Sequence, residues 1–483
     1  MEEKIYLGID IGTTHLKVCA IKGNRVIASA LREEEKISTG KWDSCMDAEQ
    51  IWKNVQECLT QVCIETQGMD IAGIGITSMA ESCVLLDAAG KVLMPIIPWN
   101  MWKEEKIGKE DFPEDLQNFP LYQRTGLIWH PKYTINQLIY LKRFYKCIYE
   151  KIDGVLSVAD YILFCLTGRM ATDESLACRT MLYHIFQRQW DEKLVKLAGV
   201  EGKLPEIVKD FNKWPYIKQN LAEQWNINYQ AKVYVGGHDH LCAARAEKIG
   251  VNDVLNSMGT SEVYLGFLKE VPDLSVFYKK GIQIGIFRNR YYWICNLPSS
   301  GASIEWLRRL YSWNGKKITY EELMSENRTV PSPIMYLPFL NGCGTHRPQK
   351  LESAIKGIRI DTNLMEIAQG IYEGIACEVR KILELLKETE ININRIVSVG
   401  GGTQNYILMQ AKADVTNQIF EITQESQATV IGAALAGDTE LEEVANIRKK
   451  VFPNGENRKA YDRKYQQYQD EIYKQLMDNR KDR

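Results

Sequence analysis

The chain has 483 residues, of which 45% are hydrophobic and 25% charged, and its formal net charge at pH 7 is −2. This composition indicates a soluble globular protein of two or three domains. It excludes the basic surface that a nucleic-acid partner would require, and the absence of an apolar run of eighteen or more residues predicts that no segment spans a membrane.

The twelve cysteines are scattered and form no CxxC pair. The pattern therefore indicates neither a zinc site nor a dithiol redox site, and we expect reduced thiols. The opening residues enter a strand directly, without the charged and apolar layout of a signal peptide. Together these features predict a cytoplasmic protein.

Strands and helices alternate along the first half of the chain. Apolar runs at 4–11 and 15–21 flank Gly12-Thr13-Thr14, which is a strand–turn–strand pattern. The periodicity then predicts a helix near 47–66, a buried strand at 71–78, a hairpin over 84–99 turning at Ala89-Gly90, helices at 134–150 and 155–167, and a strand–turn–helix over 233–246.

The opening pattern recurs in the second half, where 254–268 is again a strand, a Gly-Thr turn and a strand. The recurrence predicts a duplicated architecture with a boundary near 247–253, and the alternation that follows is typical of an α/β fold. The remaining predictions are helices at 364–388, 404–417 and 428–437, strands at 396–402 and 418–423, and a docked tail helix carrying Tyr461, Tyr465, Tyr468 and Ile472.

The first Gly-Thr turn is a candidate phosphate site. Consecutive backbone N–H groups and the hydroxyls of Thr13 and Thr14 would suit an anion, and Lys17 could reach a phosphate. Asp10 ends the preceding strand and could hold Mg²⁺ through water, since Mg²⁺ keeps several waters and takes few carboxylates. The alternative is an ordinary polar hairpin turn.

Two glycine-containing turns in the second half are candidates for nucleotide binding. Gly259-Thr260 repeats the first turn, and two such turns could hold one polyphosphate. A strand ends in Gly401 and Gly402 with Asn405 close behind, so backbone could pass near an adenosine. Either turn could instead be a connection without a ligand.

The segment GGHDH, 236–240, contains the candidate catalytic group. Asp239 follows a buried strand, where a partly dehydrated carboxylate could accept a proton from a substrate hydroxyl. The alternative is a helix N-cap. We expect His238 to line the substrate pocket, and we expect His238 and His240 to be polar lining and not metal ligands, because no third ligand is evident.

An acidic group and an aromatic ring form a candidate sugar pocket. Glu81 follows the strand at 71–78, and Trp99 follows an apolar run. A carboxylate accepts hydrogen bonds from hydroxyls, while a flat ring covers the C–H face of a sugar. The alternative is a loop carboxylate and a core tryptophan.

These blocks, in this order, resemble the FGGY family of carbohydrate kinases over nearly the whole chain. The resemblance is carried by YLGIDIGTTHLK, ITSMAESCVLLDAAGKVLMPIIPW, DYILFCLTGRMATDESLA, VGGHDHLCAA, NSMGTSE, YLPFLNGCGTHRP, SVGGGTQNYILMQAKADV and ATVIGAALAG. No P-loop, protein-kinase or HExxH motif is present.

The resemblance implies two ribonuclease-H-like domains of the actin–hexokinase type flanking an active-site cleft. Residues 1–247 would bind the sugar and carry the first phosphate loop and the catalytic aspartate, and 248–483 would bind ATP and end in a docked helical tail. It implies ATP and Mg²⁺ as cofactors, a small sugar or polyol as substrate, and it allows a homodimer. By position, Asp239 matches the base and Asp10 the Mg²⁺-associated aspartate; Thr13, Thr14, Lys17, Gly259, Thr260, Gly401, Gly402 and Asn405 match ATP-binding positions, and Glu81 and Trp99 match the substrate pocket.

Three departures from the family pattern leave the sugar open. Asn100-Met101 follows Trp99 where many relatives carry an acid, Glu81 stands in a strand that is not xylulokinase-like, and Cys178-Arg179 replaces a small pair. Two other functions stay open at this point, an actin-like or chaperone-like ATPase and a non-catalytic sugar sensor. ADP release that depends on sugar would distinguish the kinase from both.

Overall fold

Short apolar strands alternate with helices throughout the computed structural model, which describes residues 4–23, 25–101, 107–312, 318–324, 330–347, 351–423, 427–437 and 447–481. Among these residues no helix has the length and apolar character needed to cross a membrane. The chain divides into two units. The first comprises Met1–Lys248, Ile284–Tyr291 and Gln427–Val444, and the second Ile249–Gln283, Tyr292–Ser426 and Ala445–Arg483.

The strands up to residue 248 are β1 (Ile5–Ile11), β2 (His15–Lys22), β3 (Arg25–Glu33), β4 (Ile71–Ser78), β5 (Cys83–Leu86), β6 (Gly154–Ser157), β7 (Ala171–Thr172), β8 (Tyr183–His184), β9 (Gln189–Trp190), β10 (Glu206–Ile207) and β11 (Lys232–His238). The α-helices are α1 (Ala48–Glu65), α2 (Asn118–Thr125), α3 (Thr134–Phe144), α4 (Lys146–Tyr149), α5 (Val158–Thr167), α6 (Glu174–Cys178), α7 (Glu192–Ala198), α8 (Gln219–Trp225) and α9 (Asp239–Ala246).

The later strands are β12 (Asp253–Met258), β13 (Glu262–Phe267), β14 (Gln283–Phe287), β15 (Arg290–Leu297), β16 (Met335–Leu337), β17 (Ala354–Lys356), β18 (Arg395–Val399), β19 (Phe420–Thr423) and β20 (Ile447–Val451). The later helices are α10 (Leu274–Lys279), α11 (Ser300–Leu310), α12 (Tyr320–Leu323), α13 (Leu364–Lys387), α14 (Tyr406–Thr416), α15 (Ala428–Ala434) and α16 (Arg458–Lys481). Helix α15 belongs to the first unit.

The first unit is built on a sheet of order β11-β4-β1-β2-β3. Strands β1, β4 and β11 run parallel, so their carboxyl ends meet at one edge of the sheet. In the register of these strands, Asp10 lies opposite Thr77, and His238 lies opposite Ser78. The candidate residues at the ends of β1, β4 and β11 therefore share this edge.

Helix α15 packs directly on this sheet because the strands carry glycines beneath it. A Cβ added to Gly8 would lie 2.5 Å from the backbone oxygen of Val430, and one on Gly75 would lie 2.1 Å from that of Ala433. Gly236 approaches the Ala433 Cα in the same way, at 2.7 Å. Contacts this short leave no room for any larger side chain, so these glycines set how close the helix lies.

Three predicted elements differ in the structure. The helix predicted over 155–167 begins only at Val158, because Ser157 is its N-cap in a capping box with Asp160. Residues 155–157 belong instead to β6, which pairs with β5. The predicted hairpin over 84–99 keeps its turn at Ala89-Gly90, but β6 and not a second hairpin strand is the main partner of β5. The helix predicted over 134–150 is two helices, α3 and α4.

The second unit contains strands in the order β15-β13-β12-β18-β19-β20. Strands β12, β18 and β19 are parallel, while β12 and β13 form an antiparallel pair around the second Gly-Thr turn. Helix α16 packs on α13 through buried tyrosines. The hydroxyls of Tyr461, Tyr465 and Tyr468 donate hydrogen bonds to Glu373, Glu384 and Glu378 of α13, at 3.0, 2.6 and 2.8 Å.

Candidate active site

Asp10 and Asp239 lie in one neighbourhood at the carboxyl edge of the first sheet. Asp10 is the penultimate residue of β1 and faces Lys17 of β2 across the antiparallel register. Burial and, to a smaller extent, the charge of Asp239 raise the pKa of Asp10 to about 7, against the opposing effect of Lys17. The two carboxylates therefore concentrate negative charge that a bound cation would relieve.

The first Gly-Thr turn connects β1 to β2. The N–H of Gly12 donates to the His15 oxygen at 3.0 Å, which closes the turn. Its carbonyl groups are held by the segment after β3: the N–H of Glu34 donates to the Thr14 oxygen at 2.8 Å, and Lys36 donates to the Thr13 oxygen. Thr14 is exposed and Thr13 half-buried. The turn is thus fixed through its backbone oxygens.

Two imidazoles flank the carboxylate of Asp239. His238, the N-cap of α9, places Nε2 3.1 Å from Asp239 Oδ1, and the Nε2 of His240 lies 3.7 Å from the same oxygen. Asp239 is the first residue of the helix and not its cap, and its side chain is 26% exposed. Burial lowers the pKa of His238 to about 4, so this imidazole is neutral near pH 7.

The three side chains of residues 238–240 could also hold a metal ion. One ligand atom from each lies within 4.8 Å of the others. The expectation that both histidines are polar lining depends on the lack of a third ligand, and Asp239 is such a third group. That both histidines are polar lining stays a prediction.

Glu81 follows β4 in a left-handed conformation, with φ of 65°. Such a conformation is uncommon for a residue with a side chain and is a feature of functional sites. Its backbone oxygen accepts from Gln137 at 3.0 Å and Thr134 at 3.3 Å, which holds this conformation. Burial disfavours ionisation, but the cations of Lys132 and Arg179 outweigh it and hold the pKa of Glu81 well below its usual range.

The carboxylate of Glu81 binds two cations. Arg179 donates from Nε at 3.0 Å and from Nη2 at 2.6 Å, and Lys132 Nζ lies 3.2 Å away, all to the same oxygen, Oε1. Lys132 also lies 5.5 Å from the ring of Trp99. Trp99 is half-buried in a 3₁₀ helix, Trp99–Met101, and its backbone N–H donates to Ser82 Oγ at 3.1 Å.

The sequence motifs did not single out Lys132 or its neighbour His130, and Arg179 stood out only as a departure from the family pattern. Burial and the positive charge of Lys132 lower the pKa of His130 to about 3. Lys132 lies in a short HPKY segment that carries no recognisable motif. The proximity of these groups to Glu81 is a property of the tertiary structure alone.

In the second unit, the turn Gly259-Thr260 joins β12 to β13 and is exposed. The N–H of Gly259 donates to the Ser261 oxygen at 2.9 Å, and the Thr260 oxygen accepts from Ala302 of α11 at 2.9 Å. A Cβ on Gly301 would lie 2.3 Å from the Gly259 oxygen. The N-terminal end of α11 therefore packs directly against the Gly259-Thr260 backbone.

The glycines that follow β18 lie beside Met258, the last residue of β12. Gly400 has φ of 94°, and a Cβ there would lie 2.5 Å from the Met258 oxygen; one on Gly402 would lie 2.8 Å from the Met258 Cβ. The structure thus brings Gly401 and Gly402 next to the Gly259 turn. Asn405 is buried, and its side chain accepts from the N–H of Leu408, so that it caps α14.

A buried ion pair lies at the base of the Gly259-Thr260 turn, and no sequence motif pointed to it. Lys412 Nζ lies 2.6 Å from Glu262 Oε2, and both side chains have no solvent exposure. Glu262 also accepts from Asn256 at 3.0 Å, from Tyr264 at 2.9 Å and from Ser300. Because Glu262 pairs with Met258 in the β12–β13 register, the network fixes both ends of the turn.

Family models match most of the chain. The N-terminal domain of the FGGY family of carbohydrate kinases matches residues 5–245, and its C-terminal domain matches residues 254–439. The chain belongs to the FGGY family of carbohydrate kinases. It is therefore a phosphotransferase that uses ATP and an alcohol group as acceptor, which disfavours the ATPase and sensor alternatives.

Individual relatives are distant but cover the chain almost completely. The xylulose kinase of Staphylococcus xylosus is 26% identical over 475 residues, 94% of this chain and 97% of that one. The probable L-xylulose kinase of Pasteurella multocida is 26% identical and covers 96% of this chain and 97% of its own.

Solved structures show the same fold. A crystal structure described as a xyloylose kinase from Brucella ovis has a TM-score of 0.86 at 22% identity and covers 98% of this chain and 99% of its own. The gluconate kinase of Lactobacillus acidophilus has a TM-score of 0.85 at 20% identity, with 97% of each chain covered. The prediction of an α/β protein with two actin–hexokinase-type domains is confirmed.

Proposed function

We propose that this kinase transfers the γ-phosphoryl group of ATP to a hydroxyl of a small sugar or polyol, with Asp239 as the general base. The observation that supports this most is the proximity of Asp239 to Asp10, whose pKa it raises. Both carboxylates are half-buried, and such a pair could supply one group for the proton and the other for a cation.

In the proposed transfer, Asp239 accepts the proton of the acceptor hydroxyl and ADP is the leaving group. The acceptor oxygen attacks the γ-phosphorus, and its proton passes to a carboxylate oxygen of Asp239. The bond between the γ-phosphorus and the β–γ bridging oxygen breaks, and ADP leaves with that oxygen. The Nε2 of His238 and the backbone N–H of His240 lie 3.1 and 2.6 Å from Oδ1 of Asp239 and would orient its carboxylate.

The residues around Asp10 fit a magnesium ion. Mg²⁺ takes one or two carboxylates, fills its other positions with water and phosphate oxygens, and neutralises charge on the transferring group. Asp10 would hold it through water, because Lys17 offsets only part of the effect of burial and Asp239 on its negative charge. Thr13, Thr14 and Lys17 would bind phosphate oxygens.

The second unit would bind the rest of the nucleotide. Gly259 and Thr260 would donate to phosphate oxygens from the exposed turn, and the adenosine would lie on Gly401 and Gly402 near Asn405. The proximity of both turns to Met258 supports this assignment. In the family's domain terms, residues 1–247 would carry the acceptor site and residues 248–483 the nucleotide site.

The acceptor pocket would consist of Glu81, Trp99 and His238. Relatives and neighbours are named for kinases of xylulose, gluconate and glycerol, which are all small polyhydroxy compounds. Trp99 supplies a flat ring and Glu81 a carboxylate, in agreement with a pocket for such a compound. We infer a cytoplasmic enzyme, since its substrates and ATP occur there.

Asp239→Asn tests the proposal. The variant should bind ATP with unchanged affinity by calorimetry but lose transfer, measured as ADP release over a panel of pentoses, hexoses, ketoses, tetroses and polyols. More than about a tenth of kcat remaining, a penalty below ~1.4 kcal/mol, would contradict a role as base. Asp210→Asn, an exposed N-cap, is the matched control.

A further inference from the structure

One buried carboxylate joins the elements around the Gly259-Thr260 turn. The side chain of Glu262, two residues after this turn, has no solvent exposure. Burial alone would raise the pKa of Glu262, but the charge of Lys412 and several hydrogen bonds outweigh burial and lower it, so the carboxylate is ionised. Its two oxygens bind buried side chains from four elements, which are Asn256 of β12, Tyr264 of β13, Ser300 of α11 and Lys412 of α14.

Stability alone does not explain an ion pair at this place. Removing one partner of a buried pair is costly, but well-packed apolar side chains in place of both partners are often as stable or more stable. A fully hydrogen-bonded network adds a single arrangement of the groups that it joins. The elements joined to Glu262 are those that carry or support the two turns proposed to bind the nucleotide.

Ser300 connects Glu262 to the first of these turns. Its hydroxyl donates to Oε1 of the carboxylate, whereas the other three donors share Oε2. The next two residues of α11, Gly301 and Ala302, pack against the backbone of Gly259-Thr260, and the Ala302 N–H donates to this turn at 2.9 Å. The hydrogen bond from Ser300 therefore fixes the start of α11 and, through it, the backbone of the turn.

Lys412 connects the same carboxylate to the glycines after β18. It lies in α14, the helix that Asn405 caps at the end of the glycine turn. Its Nζ lies 2.6 Å from Glu262 Oε2 and 3.3 Å from Met258 Sδ. Met258 is the residue against which the glycines of this turn pack. One ammonium thus joins the helix next to the proposed adenosine site to the strand end next to the proposed phosphate site.

We propose that Glu262, Ser300 and Lys412 are positioning residues for the nucleotide, which hold the Gly259-Thr260 turn and the glycine turn after β18 in one arrangement and so set the affinity for ATP and ADP. The inference rests on the proposed nucleotide site of the second unit. The three side chains are at most 1% exposed, so they act through the backbone of the turns and not by contact with the nucleotide. A purely structural role would change stability and leave nucleotide affinity unaltered.

Ser300→Ala tests the inference, because it removes the donor to Oε1 and leaves the pair of Lys412 and Glu262 in place. Calorimetry should show ADP binding weakened about fivefold or more, because a hydrogen bond to a charged group is lost. KM for the acceptor, measured by ADP release, should not change. The Ala302 amide should exchange faster with solvent deuterium in the protein without nucleotide. Ser300→Gly serves if the alanine variant is unfolded by circular dichroism.

Ser303→Ala is the matched control. Ser303 is also buried in α11, but its hydroxyl donates to the Ser299 oxygen and accepts from Tyr336 at 2.9 Å. The control should lose stability and keep its affinity for ADP. Equal ADP affinities in the two serine variants, reduced or not, overturn the inference and leave the proposed function intact. A wild-type protein that binds neither ADP nor ATP would contradict the proposed nucleotide site itself and the inference with it.

Discussion

The guanidinium of Arg179 donates two hydrogen bonds to a single oxygen of Glu81, at 2.6 and 3.0 Å. Glu81 has a left-handed backbone conformation three residues after the end of β4, and Arg179 follows the short helix α6. The pair therefore joins two distant segments of the first unit. Because the ion pair is buried, it fixes the direction of the carboxylate that would contact the acceptor.

Arg179→Lys tests this role. Lysine keeps the charge but not the fork, so Glu81 loses a charge-assisted hydrogen bond worth about 1.5–3 kcal/mol. We expect KM for the acceptor to rise about tenfold or more, with KM for ATP unchanged, in steady-state kinetics with each substrate varied in turn. The control is Arg143→Lys, where the partner Asp111 is on the surface. A change confined to KM for ATP would be inconsistent with a role at Glu81.

Asp10→Asn tests the magnesium assignment. The amide keeps the shape of the side chain and removes its charge, so magnesium should bind more weakly. We expect the free Mg²⁺ concentration for half-maximal activity to rise about tenfold to a hundredfold. Initial rates against free Mg²⁺ at saturating ATP measure this, and calorimetry of ATP with and without Mg²⁺ supplies a readout independent of turnover. Asp153→Asn, at an exposed position, should leave both unchanged. An unaltered Mg²⁺ dependence in Asp10→Asn would remove Asp10 from the metal site.

Lys412→Met tests the ion pair below the Gly259-Thr260 turn. It leaves Glu262 charged, buried and without its cation, which should cost the second unit about 3–5 kcal/mol of stability. Denaturant-dependent hydrogen exchange of β12 and α14 amides measures that loss. Adding Glu262→Gln should restore much of it, because the second charge is then gone. If the single and double variants are equally unstable, packing and not charge is responsible.

The sequence predicts the position of a residue best where that position depends on local pattern. Asp10 lies near the end of the apolar strand β1 and Asp239 directly follows β11, and parallel strands bring their carboxyl ends to one edge of a sheet. The two family models match residues 5–245 and 254–439, which include the sequence blocks that contain Asp10 and Asp239. A strand end followed by glycine and a polar residue is visible without any knowledge of distant contacts.

Other features depend on partners that lie far away in the sequence. Lys132 reads as a surface lysine, and only the tertiary structure buries it against Glu81. Residues 155–157 fit a helical pattern, but their pairing with β5 makes them a strand. The small-residue helix near the C-terminal end reads as part of the second half, yet its contacts with the glycines of β1 and β4 place it on the first sheet.

We expect the stability of the protein to depend on pH because the buried Asp160 has a raised pKa. Burial raises the pKa of Asp160 to about 7, from an ordinary value of 3.8. Between these values the folded state keeps a proton that the unfolded state has released, so the group's contribution to stability is present at low pH and is lost as pH rises to about 7. Asn can still accept the hydrogen bond from the Ser157 N–H, now 2.9 Å from Asp160 Oδ2, without carrying a charge.

Asp160→Asn should therefore raise the melting temperature relative to the wild type more at pH 8 than at pH 5. Differential scanning calorimetry at the two pH values measures this difference, with Asp210→Asn reporting the general effect of removing one exposed carboxylate. An equal shift at both pH values would show that Asp160 is ionised in the folded protein throughout this range. A stabilisation larger at pH 5 would reverse the sign of the linkage and contradict the raised pKa.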